Sequence, residues 1–396
     1  MSKEALKIGV YGMFRGLDIV RELAKVPNAE VVAVCDRNDR KMEAGKIYYK
    51  GEVKFFHTYE EMLDWGQFDA VILTNTYNEH APCAIAALEK GFAVFSETAP
   101  ASTLKEAVEL VETVERTHGI YALAENYPHI RACRELARVY RSGVLGHVSY
   151  AEGEYIHPMD SKDAARYVSH ALHWRNFLPP TYYSTHALAP LMYMTGQMPK
   201  RVIGKQALTK NTGQDDRCTG ALMLVETNEG ALFRIFGSAH FGCMENWYRL
   251  GCDKGAVETV RGSNDYVRLV RNPWMLDAPV DAHESVYLPR ITEVDKAATN
   301  SGRREDDHGH WGGDQSMLRD LVSDVLEGRT PFMDVYRSAA LTAVGILGWR
   351  SILEDSKQFD IPDFRKQEER NLVREDDLSP FPDQDGNVTL PHVYKQ

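Results

Sequence analysis

No two cysteines in this chain stand at C-x-x-C spacing; the six (Cys35, Cys83, Cys133, Cys218, Cys243 and Cys252) are scattered. They read as reduced thiols in a cytoplasmic protein, and no metal site is expected. A basic tract is also missing, and the formal charge of the 396 residues is −11. Nucleic acid and anionic membranes are thereby excluded as main partners. No apolar run approaches the length of a membrane span. The opening Met-Ser-Lys-Glu-Ala-Leu-Lys enters an apolar strand at once, so no signal peptide is expected. What is present is 43% hydrophobic and 26% charged residues, the balance of a globular chain long enough for two domains.

The chain is organised around its first strand, turn and helix. Lys7 to Tyr11 is an apolar strand that runs into a turn of Gly12, Met13, Phe14, Arg15 and Gly16. The helix that follows has Leu17, Val20, Leu23 and Ala24 on one side, and a second strand, Val31 to Cys35, ends at Asp36 and Arg37. This is the layout of a dinucleotide-binding βαβ unit. The backbone N–H groups of the turn and the helix N-terminus hold a pyrophosphate, and the acid takes the adenosine ribose hydroxyls. Asp36 favours NAD over NADP, because a 2′-phosphate would meet a like charge; the adjacent Arg37 softens that preference. The G-x-G-x-x-G fingerprint is incomplete: Phe14 holds the second glycine position, Leu17 the third, and Gly16 stands one residue early.

Strand and helix alternate to about residue 124. Three strand ends carry polar clusters: Thr74-Asn75-Thr76-Tyr77-Asn78-Glu79-His80, Ser96-Glu97-Thr98-Ala99-Pro100, and Glu125-Asn126. Ligands collect at the carboxyl ends of strands in open α/β sheets, so these clusters are expected to converge. After Gly146 the pattern changes to extended alternating segments (147–155, 201–207, 219–227, 231–240, 248–252 and 256–261). They predict a large, mostly antiparallel open sheet, with one face on helices and the other free for a partner subunit. The run Leu222-Met223-Leu224-Val225 places apolar residues on both faces, which predicts a homodimer or homotetramer. Helices are expected over 184–195, 314–327 and 335–353, a long surface excursion over 263–307, and a charged tail after Pro362 wrapping the body. The expected fold is α/β: a Rossmann doubly wound parallel sheet in residues 1–126, and an α+β substrate and oligomerisation domain in 127–396.

Several motifs carry a resemblance. They are Gly12-x-x-Arg15-Gly16 with Asp36, Thr74-Asn75 with His80, Ser96 to Pro100, Gly143-Val144-Leu145-Gly146, Gly312-Gly313-Asp314 and Pro331 to Tyr336. In that order they resemble the Gfo/Idh/MocA family, named for glucose–fructose oxidoreductase and inositol dehydrogenase, over nearly the whole chain. The family's sugar dehydrogenases carry Glu-Lys-Pro where this chain has Glu97-Thr98-Ala99, and an aspartate where it has Tyr182. Glu125-Asn126, Gly153 to His157, Trp174-Arg175 and Tyr183 to His186 are instead similar to the family's NAD-dependent glycoside hydrolases, whose type member removes α-linked N-acetylgalactosamine. The departures from that branch are Tyr77 for tryptophan, Ser184 for proline, and a shorter segment between Arg175 and Tyr183.

The resemblance implies that Phe14, Arg15, Asp36, Tyr77, His80, Glu97, Thr98 and Asn126 contact NAD. Gly12, Met13, Arg37, Thr74 and Asn75 join them from the turn and strand ends. It also implies that Tyr155, His157, Arg175, Tyr183 and His186 contact a small carbohydrate or glycoside. The implied chemistry is hydrolysis through transient oxidation at C3 and elimination. His186 is assigned to the C3 hydroxyl proton, Tyr183 to the C2 proton, and His157 or Glu125 to the leaving group or water. An anionic sugar would suit Lys162, Arg166 and Arg175. The bland readings are a structural aromatic at Tyr155, a cap at His186, a helix-start acid at Glu97, an ion pair at Arg175, and a loop at His308 and His310. Two other classes stay open: an NAD(P)-dependent sugar or polyol dehydrogenase, and a non-catalytic NAD or sugar sensor.

Overall fold

The computed structural model describes residues 5–158, 168, 172–208, 218–239, 242–272, 274, 283–290, 309–383 and 385–392. Strands run in chain order as β1 (Leu6–Tyr11), β2 (Ala29–Cys35), β3 (Lys54–Phe56), β4 (Ala70–Leu73), β5 (Ala93–Ser96), β6 (Tyr121–Leu123), β7 (Val148–Ile156), β8 (Pro199–Leu208), β9 (Cys218–Thr227), β10 (Leu232–Ser238), β11 (Glu245–Cys252), β12 (Gly255–Thr259), β13 (Val267–Arg271), β14 (Glu284–Tyr287) and β15 (Phe359–Asp360). Helices are α1 (Met13–Leu23), α2 (Asp39–Ala44), α3 (Tyr59–Trp65), α4 (His80–Glu89), α5 (Leu104–Thr117), α6 (Arg131–Arg141), α7 (Thr185–Thr195), α8 (Gly313–Glu327), α9 (Val335–Leu353) and α10 (Gln367–Asn371).

The chain divides into two units. The first comprises Met1–Glu125, Asp314–Ala343 and Pro362–Leu390. Its six strands form a parallel sheet in the order β3-β2-β1-β4-β5-β6. Every residue of β4 and β5 is buried, as parallel strands covered on both faces must be. Helices α2, α3 and α5 start where the sequence supplies a side-chain cap. The Thr58 hydroxyl accepts the Glu61 N–H before α3, and Thr103 and Glu106 form a reciprocal capping box before α5. Helix α2 is short. It gives way to a 3₁₀ turn at Gly45–Ile47, where the Tyr49 hydroxyl donates to the Met42 carbonyl.

A division at residue 126 assigns all later residues to one domain, whereas the chain returns twice to the first unit. Helix α8 packs Met317, Leu318, Leu321 and Val322 into the core around Leu6, Ile8, Val10 and Ile19. The tail follows. Phe364 and Phe381 are buried, and Arg370 and Arg374 pair at 2.7 Å with Glu115 and Glu112 of α5. The Arg374 guanidinium holds the Glu112 carboxyl down at about 2.

The second unit comprises Asn126–Gly313, Val344–Ile361 and Pro391–Gln396. Its nine strands lie in the order β14-β13-β12-β11-β7-β10-β9-β8-β15. The β7–β10 pair is parallel and the other neighbours are antiparallel. Helix α7 lies directly on β7: a Cβ on Gly153 would stand 2.0 Å from the Ala187 carbonyl oxygen, so only glycine allows that contact. Strands β13 and β14 fall in the stretch read as a surface excursion. They lie toward one edge of the sheet, where charged side chains mask the apolar alternation and backbone pairing to β12 decides the structure.

The other face carries Leu222 and Leu224 of the run read as apolar on both sides, and beside them a feature the sequence did not show. Met223, Val225, Phe233 and Ile235 are buried, but opposite them runs a row of alternating charge. Arg234, Glu152, Arg249, Glu258 and Arg268 are successive partners across five strands. Arg234 meets Glu152 at 2.8 Å, Arg249 meets Glu152 at 3.3 Å, and Arg268 meets Glu258 at 2.7 Å. Of the run 222–225, only Leu224 is an exposed large apolar side chain, at 38%. Apolar area on this face is therefore confined to its flanks.

Burial of Phe364 makes the tail part of the first unit's core. Phe364→Ala should cost about 3–5 kcal/mol, read as a lower urea midpoint at unchanged slope; an unchanged midpoint would show that the tail contributes nothing.

Candidate active site

The first unit builds a cradle from β1, α1 and β4. Gly12 has φ 93°, and a Cβ there would lie 2.6 Å from the Thr74 carbonyl oxygen and 2.7 Å from the Asn75 Cα. The Thr74 hydroxyl lies 2.6 Å from the Gly12 carbonyl and 2.9 Å from that of Tyr11, tying the turn to β4. A Cβ on Gly16 would be 3.0 Å from Val10 and from Thr74. Gly16 thus performs, one residue early, the close helix–strand packing that the fingerprint's last glycine provides. Phe14, at the second glycine position, is 48% exposed, with the Lys41 ammonium 5.5 Å from its ring. Asp36 accepts the Met13 N–H at 2.7 Å and the Asn38 N–H at 2.8 Å. Arg37 beside it is exposed.

The sheet's strand order reverses between β1 and β4, and the remaining strand-end residues of this unit lie on the β4–β6 side. Arg15 reaches Glu97 through Nε at 2.7 Å and Asp314 through both terminal nitrogens at 2.9 and 2.6 Å. Burial alone would lower its pKa, but the Asp314 and Glu97 carboxylates outweigh that and hold it well above its ordinary value. Glu97 also accepts the Thr98 N–H at 3.2 Å. His80 is buried, and its Nδ1 lies 3.0 Å from the Ala99 carbonyl. That oxygen can only accept, so Nδ1 carries the proton. Burial lowers the His80 pKa despite this bond, so the ring is neutral. Tyr77 is buried, with its ring 5.3 Å from Phe381 and 6.3 Å from His80. Thr74, Thr98 and Glu125 are buried, and Asn75 is half-buried.

An NAD molecule suits this donor set. The Gly12 N–H is bonded to the Cys35 carbonyl and the Met13 N–H to Asp36, so the α1 N-terminus beyond them is what matches a pyrophosphate, and Asp36 matches the adenosine ribose hydroxyls. Glu97, Thr98, Asn75 and His80 belong to strand ends on the other side of the reversal.

The second unit gathers a different chemistry. Its first residue, Asn126, is buried. Tyr155 comes from the end of β7, Tyr183 from the turn before α7, and His186 from that helix's first turn. The His186 ring is 4.7 Å from Tyr155 and 5.1 Å from Tyr183, edge-on to both. Tyr155 and His157 are 6.0 Å apart, as are Tyr155 and Tyr183. The Tyr248 hydroxyl donates to the His186 carbonyl at 2.7 Å, anchoring the start of α7. Arg175 lies over Trp174 at 4.3 Å and 5.9 Å from the Tyr183 ring, and its N–H donates to His173 Nδ1. Burial pushes the Tyr155 phenol well above its ordinary value, and Tyr127 and Tyr183 add to the shift while Arg175 opposes it. Tyr155 is therefore a protonated phenol.

Sequence reasoning missed Tyr127. It sits in a 3₁₀ turn, fully buried, 4.4 Å from the His186 ring and 5.4 Å from Tyr155. The signal was its place directly after Glu125-Asn126. His310, read as part of a loop, and Trp311 come within 5.9 and 6.5 Å of the Tyr127 ring. Tyr182, where the dehydrogenases carry aspartate, is buried. Lys162, Arg166 and His308 lie outside the described residues. Among the described residues, no three or more His, Cys, Asp or Glu could hold a metal ion, and no helix is long and apolar enough to cross a membrane.

Comparison with known proteins adds two family matches. Residues 6–125 match the GFO_IDH_MocA family, described as oxidoreductase family, NAD-binding Rossmann fold. Residues 297–370 match the glycosyl hydrolase 109 C-terminal domain. The chain is 23% identical over 407 residues to an alpha-N-acetylgalactosaminidase of Shewanella oneidensis, covering 92% of this chain and 86% of that one. It is 25% identical over 423 residues to glycosyl hydrolase family 109 protein 4 of Phocaeicola vulgatus, covering 92% and 79%. Among solved structures, levoglucosan dehydrogenase with NADH and levoglucosan gives a TM-score of 0.74 at 16% identity, covering 91% and 100%. An Agrobacterium radiobacter oxidoreductase with NAD+, L-tartaric acid and magnesium gives 0.72 at 14%, covering 90% and 98%. At such identities the structures establish the fold.

The Asp36 carboxylate generates a cofactor test. In calorimetric titrations, Asp36→Ala should weaken NAD binding about 10- to 100-fold, the range for losing a charged hydrogen-bond partner. The unmodified chain should prefer NAD to NADP; tighter NADP binding would refute the role of Asp36.

Proposed function

We propose that this chain, in which a Gfo/Idh/MocA NAD-binding domain is followed by a glycosyl hydrolase 109 C-terminal domain, is an NAD-dependent glycosidase. The observation that carries the reading is the cluster of Tyr155, Tyr183 and His186 rings, each within 6.0 Å of the next. It offers proton donors and acceptors with aromatic faces for a sugar. The relatives named for alpha-N-acetylgalactosaminidase and glycosyl hydrolase family 109 support the same reaction class.

When bound, NAD supplies reversible hydride acceptance at C3 of the sugar and is regenerated within each cycle. The protein's own part is proton handling. His186 takes the C3 hydroxyl proton on an imidazole nitrogen as the ketone forms. The ketone acidifies the C2 proton, which the Tyr183 oxygen removes in its phenolate form, having first given its own proton to solvent. The aglycone then leaves from C1, and His157 or Glu125 gives it a proton and later activates the water that adds back. Tyr155, kept protonated by burial, donates to a sugar oxygen. Arg175 supplies a positive group for the substrate, and Asn126 contacts the cofactor.

We further infer a cytoplasmic homodimer or homotetramer joined through the open face of the nine-stranded sheet. The alternating row from Arg234 to Arg268 is self-complementary when two copies are offset by one strand, and Leu224 and Leu232 flank it exposed. Light scattering at micromolar concentration should give a multiple of the monomer mass, and Arg249→Glu should lower it. A monomeric native chain would refute this assembly.

Three measurements test the reaction. Hydrolysis in heavy water should place deuterium at C2 of the product, and cleavage should proceed without accumulating NADH. His186→Ala should lose about 100- to 10,000-fold in rate while still binding NAD. Cleavage without C2 exchange would exclude the elimination route. Stoichiometric NADH from a free sugar would make the protein a dehydrogenase instead, and neither outcome with any sugar or glycoside would leave a sensor.

A further inference from the structure

The buried acid at the start of α8 has no part in the chemistry above. Asp314 is fully buried and lies 299 residues from Arg15, its bidentate partner. Arg15 stands in the first turn of α1, where a free guanidinium would be the obvious counter-ion for a pyrophosphate. It is not directed there. Both terminal nitrogens face Asp314 and Nε faces Glu97, with Asp18 3.8 Å from Nη1. The cation is thus ringed by carboxylates, and its planar fork fixes their separation and tilt.

The sheet order indicates what this geometry serves. Asp36 ends β2, on the adenosine side of the reversal between β1 and β4. Glu97 follows β5, on the opposite side, where the other half of a dinucleotide lies when its pyrophosphate rests on the α1 N-terminus. Of the two Glu97 oxygens, Oε1 is held by Arg15 and Oε2 by the Thr98 N–H. Its carboxylate therefore takes its place from Arg15, and Arg15 takes its place from Asp314.

We propose that Asp314 is a positioning residue for the nicotinamide half of the cofactor, acting through Arg15 to hold the Glu97 carboxylate beyond the end of β5. The pyrophosphate is then held by backbone N–H groups rather than by this arginine. The assignment concerns cofactor binding and stands whichever sugar chemistry the protein performs.

The test uses the full-length protein, stripped of cofactor and titrated calorimetrically with NAD and with ADP, which lacks the whole nicotinamide–ribose half. Asp314→Asn should weaken NAD about tenfold or more, the scale of one charged hydrogen bond, and leave ADP affinity unchanged. Glu97→Gln should show the same selectivity. The double variant should be no weaker than the weaker single, because both changes act on one carboxylate. Equal losses for both ligands would mean a general disturbance of the turn and overturn the proposal. So would unchanged NAD affinity, or a double variant whose loss is the product of the singles. If Asp314→Asn does not fold, Arg15→Lys must show the NAD-selective loss instead, since an ammonium keeps the charge but cannot bridge both acids.

Discussion

The ion pair between Arg15 and Asp314 is the constraint on which the first unit most depends. Taking a guanidinium and a carboxylate out of water is costly, and the cost is offset only in good geometry. Removing one partner of such a buried pair leaves a stranded charge, commonly at about 3–5 kcal/mol. The pair therefore tolerates little displacement of α1, of the strand end carrying Glu97, or of the start of α8. Around it the softer elements fall into place: the Gly12 turn pressed on Thr74, the Asp36 carboxylate on the Met13 N–H, and the neutral His80 ring bonded to Ala99.

In the second unit packing plays the corresponding part. The contact of α7 with Gly153 on β7 brings the start of the helix beside the end of the strand, and so His186 beside Tyr155. Tyr248 then secures the same helical turn from β11. Tyr127 closes the group from a separate part of the chain. Such a site is built from aromatic edges and faces, with polar atoms only at the ring tips. It can bury a sugar's apolar faces and still present donors and acceptors. Its phenol at Tyr155 is kept neutral by the same burial.

The open face of the nine-stranded sheet follows another logic. Its central row alternates Arg and Glu across the strands, so each charge has opposite neighbours and the surface carries little net field. Exposed pairs of this kind contribute little stability singly. They specify register, because a one-residue slip would move each charge to the buried face.

Much of the cofactor half was legible in the sequence, because its determinants are local. A strand that runs into Gly12, an acid at Asp36, the caps at Thr58 and Thr103, and polar clusters after short apolar strands each act within a few residues. The Tyr155, His157, Tyr183 and His186 set was legible only through resemblance, since any of those residues alone reads as structural. The rest came from contacts between distant segments. Tyr127 beside His186, Asp314 on Arg15, the burial of α8 and the tail in the first unit, and the pairing of β13 and β14 leave no periodic mark. Nor did local pattern reveal that the sheet's open face carries a charge ladder, because that ladder exists only once the register across strands is set. By itself the sequence determined most of the segments that become strands and helices, though not β13 and β14, and which residue types sit at their ends. The tertiary structure alone decided which ends meet, because burial and ion pairing depend on distance in space, and the chain encodes that distance only through the whole fold.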